Sequence, residues 1–212
     1  MLSDSPPERD VDWTTAGVEG AWRFLQRLWR LQGEAKLASP GALPPADFGA
    51  KALALRRATH KTIIGVTSDI ENFTFNKAVA RIYELTNAVA KLSDEGEDFA
   101  YARREAFETI AALMEPMTPH FAEELWAQLG GEGMLVARPW PDADTELARD
   151  DMISLPIQVN GKKRAEISVS AEAGREEIEG LALTNPDVAR FLDGKPPKKI
   201  IVVPGRIVNV VL

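Results

Sequence analysis

The sequence contains no cysteine and only two histidines among its 212 residues. A chain without cysteine can form neither a disulfide framework nor a thiolate metal site, which is typical of proteins in a reducing compartment. It also lacks any uninterrupted apolar run of the roughly 20 residues that a membrane-spanning helix requires. The first residues have neither the basic nor the apolar region of a signal peptide. We therefore expect a cytoplasmic protein that does not act in a membrane.

Side chains suited to catalysis are also scarce. Neither histidine belongs to a recognisable catalytic string, and no glycine-rich segment ends in the Gly-Lys-Ser or Gly-Lys-Thr of a phosphate loop. His120 is followed by Glu123 and Glu124, and acidic residues in a first helical turn more often favour the helix dipole than hold a metal. His60 lies in line with apolar residues, which predicts a partly buried histidine. We predict no catalytic residue and no metal ligand in this chain.

Apolar residues recur with the period of an α-helix through residues 1–131. The predicted helices cover residues 16–31, 47–72, 76–92, 99–114 and 119–129. Asp47 and Asn76 are predicted N-caps, and Pro119 after Thr118 is typical of the first residues of a helix. Several helices joined by short loops predict an α-helical bundle.

The first predicted helix carries two stripes of side chains. The apolar stripe, which we expect to face the core, contains Val18, Ala21, Trp22, Leu25, Leu28 and Trp29. Arg23, Arg27 and Arg30 share a second stripe by the same helical spacing. Arginines on a helix exterior usually form a solvated face and nothing more. The alternative is a ridge that binds phosphate groups.

Residues 132–151 interrupt the helical pattern with prolines and acidic residues, and they predict a linker. Beyond it, apolar residues alternate with a period of about two, as in β-strands. Residues 153–169 are predicted to form a β-hairpin around Asn160-Gly161, because this dipeptide suits the positive φ angles of a tight turn. A second hairpin is predicted over residues 199–211 around Pro204-Gly205.

Between the two hairpins, residues 172–192 have a helical pattern that breaks at Asn185-Pro186. The order ββαββ predicts a small α+β domain over residues 152–212. The predicted fold class is therefore an α-helical bundle followed by a small α+β domain.

Positive charge is concentrated in parts of this second domain. The formal net charge of the chain is -7, yet its last eighteen residues carry four cations and no acidic side chain. Three more cations directly follow the Asn160-Gly161 turn. Such residues could simply protect a sheet edge, but several cations on one surface favour a polyanion because phosphate neutralisation is additive. The candidate phosphate contacts are Lys162, Arg164, Lys198, Lys199 and Arg206, together with Arg23, Arg27 and Arg30 of the first helix.

Several strings of the sequence resemble bacterial leucyl-tRNA synthetases. Those similar to the helical part after the catalytic core are DWTTAGVEGA (12–21), THKTI (59–63), FNKAV (75–79), and MTPH (117–120) with ELW (124–126). The last of these is shared with related class I synthetases. Those similar to the C-terminal domain particular to the bacterial enzymes are QVNGKKRA (158–165) and KIIVVPGRIVN (199–209). The resemblance covers essentially the whole chain.

The resemblance implies a multi-domain C-terminal fragment, with an anticodon-binding-type helical domain at residues 1–131 and a tRNA-binding domain at residues 152–212. It implies leucine tRNA and the catalytic core of the same polypeptide as partners, and neither DNA nor a membrane. The family joins leucine to its tRNA with ATP and Mg²⁺, but the HIGH-type and KMSKS-type signatures and the editing domain are absent from these residues. The fragment itself is therefore expected to need no cofactor, and the candidate phosphate contacts become candidate RNA contacts.

Two other interpretations remain open. In one, both domains dock onto a larger catalytic body without binding RNA, and the cations only increase solubility. In the other, the chain is an independent enzyme.

Overall fold

The periodic apolar residues of the amino-terminal part form five helices. The computed structural model of the chain describes residue 10 and residues 14–149, 152–170, 173–192, 197–203 and 205–212. The helices are α1 (Thr15–Glu34), α2 (Ala50–Glu71), α3 (Phe75–Lys91), α4 (Glu97–Met114) and α5 (Pro119–Gln128). Contacts divide the chain into two compact units, Met1–Arg149 and Asp150–Leu212. The first is helical and the second contains helices and a sheet, which confirms the predicted fold class. No helix of the described part is long and apolar enough to cross a membrane.

One apolar core connects all five helices of the first unit. The largest of its fully buried side chains are Leu28, Leu55, Ile82, Leu85, Phe99, Phe107, Ile110, Leu113, Leu125 and Leu129. Helix α4 contributes more buried residues than any other described helix and is therefore the centre of the bundle.

Two predicted helix starts are wrong. The N-cap of α2 is Gly49, two residues after Asp47. Its N–H donates to the carboxylate of Asp98 at 2.8 Å, so a side chain from the start of α4 takes the place of a local cap. The N-cap of α3 is Thr74, whereas Asn76 lies inside the helix. The start of α2 differs because a contact distant in sequence satisfies a backbone group that local capping rules assign to a neighbour. At the start of α3 the bonds are local: Thr74 donates from Oγ1 to Asp69, and its carbonyl accepts the N–H groups of Lys77 and Ala78.

Helix α1 buries only part of the predicted apolar stripe, since Leu28 is buried and Leu25 packs against the core, but the other members are exposed. Its buried residues are Phe24, Leu28 and Gln32. The predicted core residues that remain exposed are Val18 (44%), Ala21, Trp22 (59%) and Trp29 (37%). Phe24 stacks on Tyr83 of α3 with ring centroids 3.7 Å apart, and this contact turns the tryptophans away from the core.

The segment that follows α5 is bonded back to the helices. A short 3-10 turn, Leu135–Ala137, begins at the carboxylate of Glu123, which accepts hydrogen bonds from the N–H groups of Leu135 at 2.8 Å and Val136 at 3.0 Å. Glu123 therefore serves as a cap for this turn. The first half of the predicted linker packs on the bundle.

The next residues, 138–149, which we call the strap, are held by two hydrogen bonds to α2. Trp140 donates from Nε1 to Thr67 Oγ1 at 2.8 Å, and Asp144 donates its N–H to Nδ1 of His60 at 3.0 Å. His60 is 8% exposed, which confirms the predicted partly buried histidine. Because Nδ1 accepts, the neutral imidazole carries its proton on Nε2, which lies 3.3 Å from Glu105.

The second unit is a four-stranded sheet with two helices on one face. Its elements are β1 (Met152–Val159), β2 (Lys162–Ser170), α6 (Arg175–Thr184), α7 (Pro186–Leu192), β3 (Lys199–Val203) and β4 (Ile207–Val211). The helices break at Asn185 and Pro186, as predicted. Alternate residues of the strands form a core with α6 and α7; the buried ones are Leu155, Ile157, Val159, Val169, Ile178, Ala182, Val188, Val208 and Val210.

The order of the strands determines where the two predicted hairpins point. The sheet has the order β2-β1-β4-β3, with antiparallel pairs β1–β2 and β3–β4 and a parallel pair β1–β4. Because β1 and β4 run parallel, the β1–β2 turn and the β3–β4 turn lie at opposite ends of the sheet. The start of β3, however, lies at the same end as the β1–β2 turn.

Candidate nucleic-acid interface

The β1–β2 turn has the conformation that its sequence predicts. Asn160 has a φ of 49° and Gly161 a φ of 80°, both in the left-handed region that a tight two-residue hairpin turn of type I′ requires. The turn ends at Lys162, the first residue of β2. The following basic residues therefore lie at the tip of a well-defined hairpin.

Four of the predicted contacts lie at this end of the sheet. Lys162 pairs with the last residue of β1, and Lys199 pairs with Val211, the last residue of β4. Lys198 precedes β3 and donates its backbone N–H to Val211 O at 2.9 Å. Three strand spacings separate Lys162 from Lys199, which is about 14 Å. We call Lys162, Arg164, Lys198 and Lys199 the basic edge.

Arg164 occupies a β-bulge. The register of β2 against β1 shifts between Ile157 and Gln158, whose partners are Ala165 and Lys163, so that Arg164 has no partner on β1. A bulge re-aims the side chain it contains. The guanidinium carbon of Arg164 lies 4.6 Å from the ring centre of Phe191, at the end of α7. Arg164 thus extends the basic edge toward the helical face of the sheet.

Lys163 differs from its two neighbours because a carboxylate neutralises it. Its Nζ lies 2.7 Å from Glu166, which also accepts a hydrogen bond from Ser154. The hydrogen bond from Lys163, together with that from Ser154, lowers the pKa of Glu166. Of the three consecutive cations, Lys162 and Arg164 are left for a ligand.

Arg206 is separated from the basic edge. It follows Gly205 in the β3–β4 turn and donates its backbone N–H to Val203 O at 3.0 Å. The length of β4, about 16 Å, lies between it and the basic edge. The expectation that the cations of the last eighteen residues gather on one surface is wrong for Arg206, because the antiparallel β3–β4 hairpin places its turn at the end opposite to Lys199. Its contact with RNA stays a prediction, and Lys195 lies outside the described residues.

The three arginines of α1 do share one flank of the helix, but they differ in their contacts. Arg27 donates to Asn87 Oδ1 of α3 at 2.7 Å and is half-buried. Arg23 and Arg30 are exposed, and within the described residues neither makes an ion pair or a hydrogen bond. Arg27 thus supports the packing of α1 on α3, while Arg23 and Arg30 are available to a ligand.

Lys91 belongs to the same surface, although sequence analysis did not single it out. Helices α1 and α3 run parallel, since Phe24 lies against Tyr83 and Arg27 bonds Asn87. One further turn along both helices brings Lys91, at the end of α3, to the level of Arg30. No pattern in the sequence reveals this, because the pairing of the two helices is a tertiary property.

The described residues contain no group of three or more His, Cys, Asp or Glu side chains that could hold a metal ion. The exposed lysines and arginines among them are point charges and donors for phosphate oxygens. Each unit therefore has its own candidate surface: the basic edge in the second unit, and the exposed arginines of α1 with Lys91 in the first.

Comparisons with known proteins show which family the chain is similar to. A family model described as the anticodon-binding domain of tRNA ligase matches residues 53–179. The leucine–tRNA ligase of Rhodospirillum rubrum is 50% identical over 214 residues, which cover all of this chain and 25% of that protein. The leucine–tRNA ligase of Caulobacter vibrioides is 51% identical over 213 residues, covering all of this chain and 24% of that protein. The chain thus spans about a quarter of the length of the curated relatives it matches.

A solved structure is similar over nearly the whole chain. It is the ternary complex of the agnB2 LeuRS of Agrobacterium radiobacter K84 with tRNA and LeuAMS. The TM-score is 0.85 and the sequences are 27% identical, with 99% of this chain and 28% of the other chain covered. The similarity extends across both the helical unit and the sheet.

Proposed function

Because the chain belongs to the family of anticodon-binding domains of tRNA ligases, we propose that it is the tRNA-binding C-terminal part of a leucine–tRNA ligase. Its role is to dock leucine tRNA while the remainder of the ligase joins leucine to it. ATP and Mg²⁺ act in that remainder, and the complete ligase works in the cytoplasm, where translation consumes its product.

The basic edge is the observation that carries this proposal. In a chain of net charge -7, three lysines and one arginine from two distant segments lie at one end of a sheet. Several cations on one surface favour a polyanion, because the neutralisation of successive phosphates is additive. Lysines that each approach one phosphate neutralise the RNA backbone without reading its bases, so discrimination rests on the shape of the tRNA.

An exposed apolar face of α1 favours docking onto the second proposed partner, the remainder of the same polypeptide. This apolar face contains Val18, Trp22 and Trp29, and Trp29 also contacts Phe121 of α5. Contiguous exposed apolar residues of this size mark interaction sites more often than free surface. A surface rich in tryptophan suits a protein partner because a large apolar ring buries much area there.

The proposal is tested by titrating the 212-residue chain with a leucine tRNA transcript at low and moderate salt. We expect a complex whose affinity falls by at least about tenfold between roughly 50 and 200 mM salt, because each neutralised phosphate releases counterions. Filter binding or fluorescence anisotropy measures this, with duplex DNA of equal charge as the control. The control should bind more weakly, since its shape differs from that of the tRNA.

A chain that forms no salt-dependent complex with tRNA would favour the alternative in which both units only dock onto a catalytic body. The independent-enzyme alternative predicts leucine-dependent exchange of pyrophosphate into ATP by the 212-residue chain, which the present proposal does not expect.

Docking of the apolar face of α1 is tested with Trp22→Ser in the full-length ligase and in the 212-residue chain. In the isolated chain, where Trp22 is mostly exposed, we expect a change in stability within about 0.5 kcal/mol. In the full-length ligase we expect a loss of about 2 kcal/mol, since burial of such a ring contributes that amount. Thermal unfolding and limited proteolysis measure both. Equal losses of stability in the two proteins would contradict the docking of this apolar face.

A further inference from the structure

The last four residues of the chain connect the two segments that form the basic edge. On one side, Asn160 donates its backbone N–H to Val210 O at 2.9 Å. On the other side, Lys198 donates its backbone N–H to Val211 O at 2.9 Å and its Nζ to Leu212 O at 3.1 Å. The end of β4 therefore lies between the hairpin tip and the start of β3 and is bonded to both.

Two asparagine side chains complete this connection in opposite directions. The side-chain oxygen of Asn160, in the turn, accepts the N–H of Leu212 at 3.0 Å. The side-chain oxygen of Asn209, in β4, accepts the N–H of Gly161 at 3.2 Å. Each asparagine thus satisfies a backbone donor of the other segment. We call this pair of bonds the asparagine clamp.

The clamp acts on the position of the cations and adds no charge of its own. Lys162 directly follows the clamped turn, and Lys198 is bonded to Leu212, the residue that Asn160 holds. A two-residue turn at the edge of a sheet is a place where local opening costs little free energy. Without the clamp, Lys162 would occupy a range of positions relative to Lys198 and Lys199.

We propose that Asn160 and Asn209 are positioning residues for RNA binding, which hold Lys162 at a fixed spacing from Lys198 and Lys199. The inference rests on the proposed function, because it assumes that these lysines contact tRNA phosphates. Its physical basis is preorganisation: a surface that is already ordered loses less conformational entropy when it binds. The asparagines themselves neutralise no phosphate.

The test compares the parent 212-residue chain with Asn160→Gly, Asn209→Ala and the double variant. Asn160→Gly removes the side-chain oxygen but keeps a residue that readily adopts positive φ, so the turn retains its conformation. Ser168→Ala is the matched control, since Ser168 is an exposed polar residue toward the other end of β2. The affinity for a leucine tRNA transcript is measured over a range of salt concentrations, and hydrogen exchange is measured at the amides of Gly161 and Leu212.

We expect the double variant to bind tRNA about tenfold more weakly than the parent, because each lost bond changes the affinity by roughly a factor of two to ten. The dependence of log Kd on log salt should keep the slope of the parent, since no cation has been removed. The amides of Gly161 and Leu212 should exchange faster. Asn160→Gly alone should show about half of the effect on a logarithmic scale, and Ser168→Ala none.

Two results would overturn the proposed role of the asparagine clamp, and a third, distinguishable from them, would overturn the proposed function. Equal affinities of the double variant and Ser168→Ala overturn the clamp. A salt slope that falls together with the affinity also overturns it, because a lysine would then have lost its phosphate contact in the complex and not only its fixed position in the free protein. If instead the parent binds without salt dependence and is unaffected by alanine at the three lysines, the proposed function itself fails.

Discussion

Replacement of Lys162, Lys198 and Lys199 together by alanine is expected to weaken the binding of leucine tRNA by roughly 10- to 100-fold at moderate salt. These lysines lie at the same end of the sheet. For each phosphate contact that is lost, fewer counterions are released from the RNA on binding. The slope of log Kd against log salt should therefore fall by about one for each lysine that contacts a phosphate. Titration of the 212-residue chain at four or five salt concentrations measures both quantities.

The matched control replaces the same three lysines by arginine. This variant keeps every charge, so it should retain the salt slope and most of the affinity. Arg206→Ala is a second comparison, because it removes one charge at the other end of the sheet. A reduced slope in Arg206→Ala would mean that the RNA contacts that end as well. Unchanged affinity in the triple alanine variant would remove the basic edge from the binding surface.

Glu105→Ala is expected to lower the free energy of unfolding of the first unit by about 3 kcal/mol, because it leaves charged and polar partners without their carboxylate. Glu105 accepts two hydrogen bonds from Arg56, at 2.9 and 3.1 Å, and lies 3.3 Å from His60. Its side chain is only 19% exposed. Urea unfolding followed by circular dichroism measures the loss. Glu108→Ala is the control, since Glu108 pairs with Arg104 closer to solvent and should cost less.

The same carboxylate makes stability depend on pH. Burial by itself raises the pKa of Glu105, but the hydrogen bonds from His60 and Arg56 outweigh burial and lower it below the ordinary value. A carboxyl whose pKa is lower in the folded state stabilises the fold fully above the unfolded-state pKa of about 4.3. This contribution is lost as the pH falls through the lower, folded-state pKa.

Glu105→Gln should remove this part of the acid dependence. Between pH 7 and about pH 3, the parent should therefore lose more stability than the variant, in which residue 105 no longer titrates. Unfolding midpoints in urea at several pH values measure the difference. Parallel curves for the two proteins would show that Glu105 keeps an ordinary pKa.

Much of the fold could be predicted because its signals are local. Pro119 starts α5, Asn185 and Pro186 separate α6 from α7, and Asn160-Gly161 forms the tight turn. Each depends on the φ preference or the missing N–H of one or two residues, which neighbours in the sequence reveal. Such features need no knowledge of the rest of the chain.

Other features could not be predicted because two parts of the chain compete for the same role. In α1 the sequence offers one apolar stripe containing Trp22 and another containing Phe24, and both have helical spacing. The structure buries Phe24 together with Leu28 and leaves Trp22 exposed, and the stacking of Phe24 on Tyr83 of α3 favours this choice. Likewise Asp98, distant in sequence, determines where α2 begins.

The sequence by itself determined the class of fold, the identity of most candidate RNA contacts and the resemblance that implied their purpose, because composition, periodicity and short strings are properties of the chain alone. Only the tertiary structure decided which of those cations act together. The parallel pairing of β1 with β4 brings Lys162 to the same edge as Lys198 and Lys199 and leaves Arg206 at the other end. Strand order is a choice between long-range pairings of similar strands, and no local pattern expresses it.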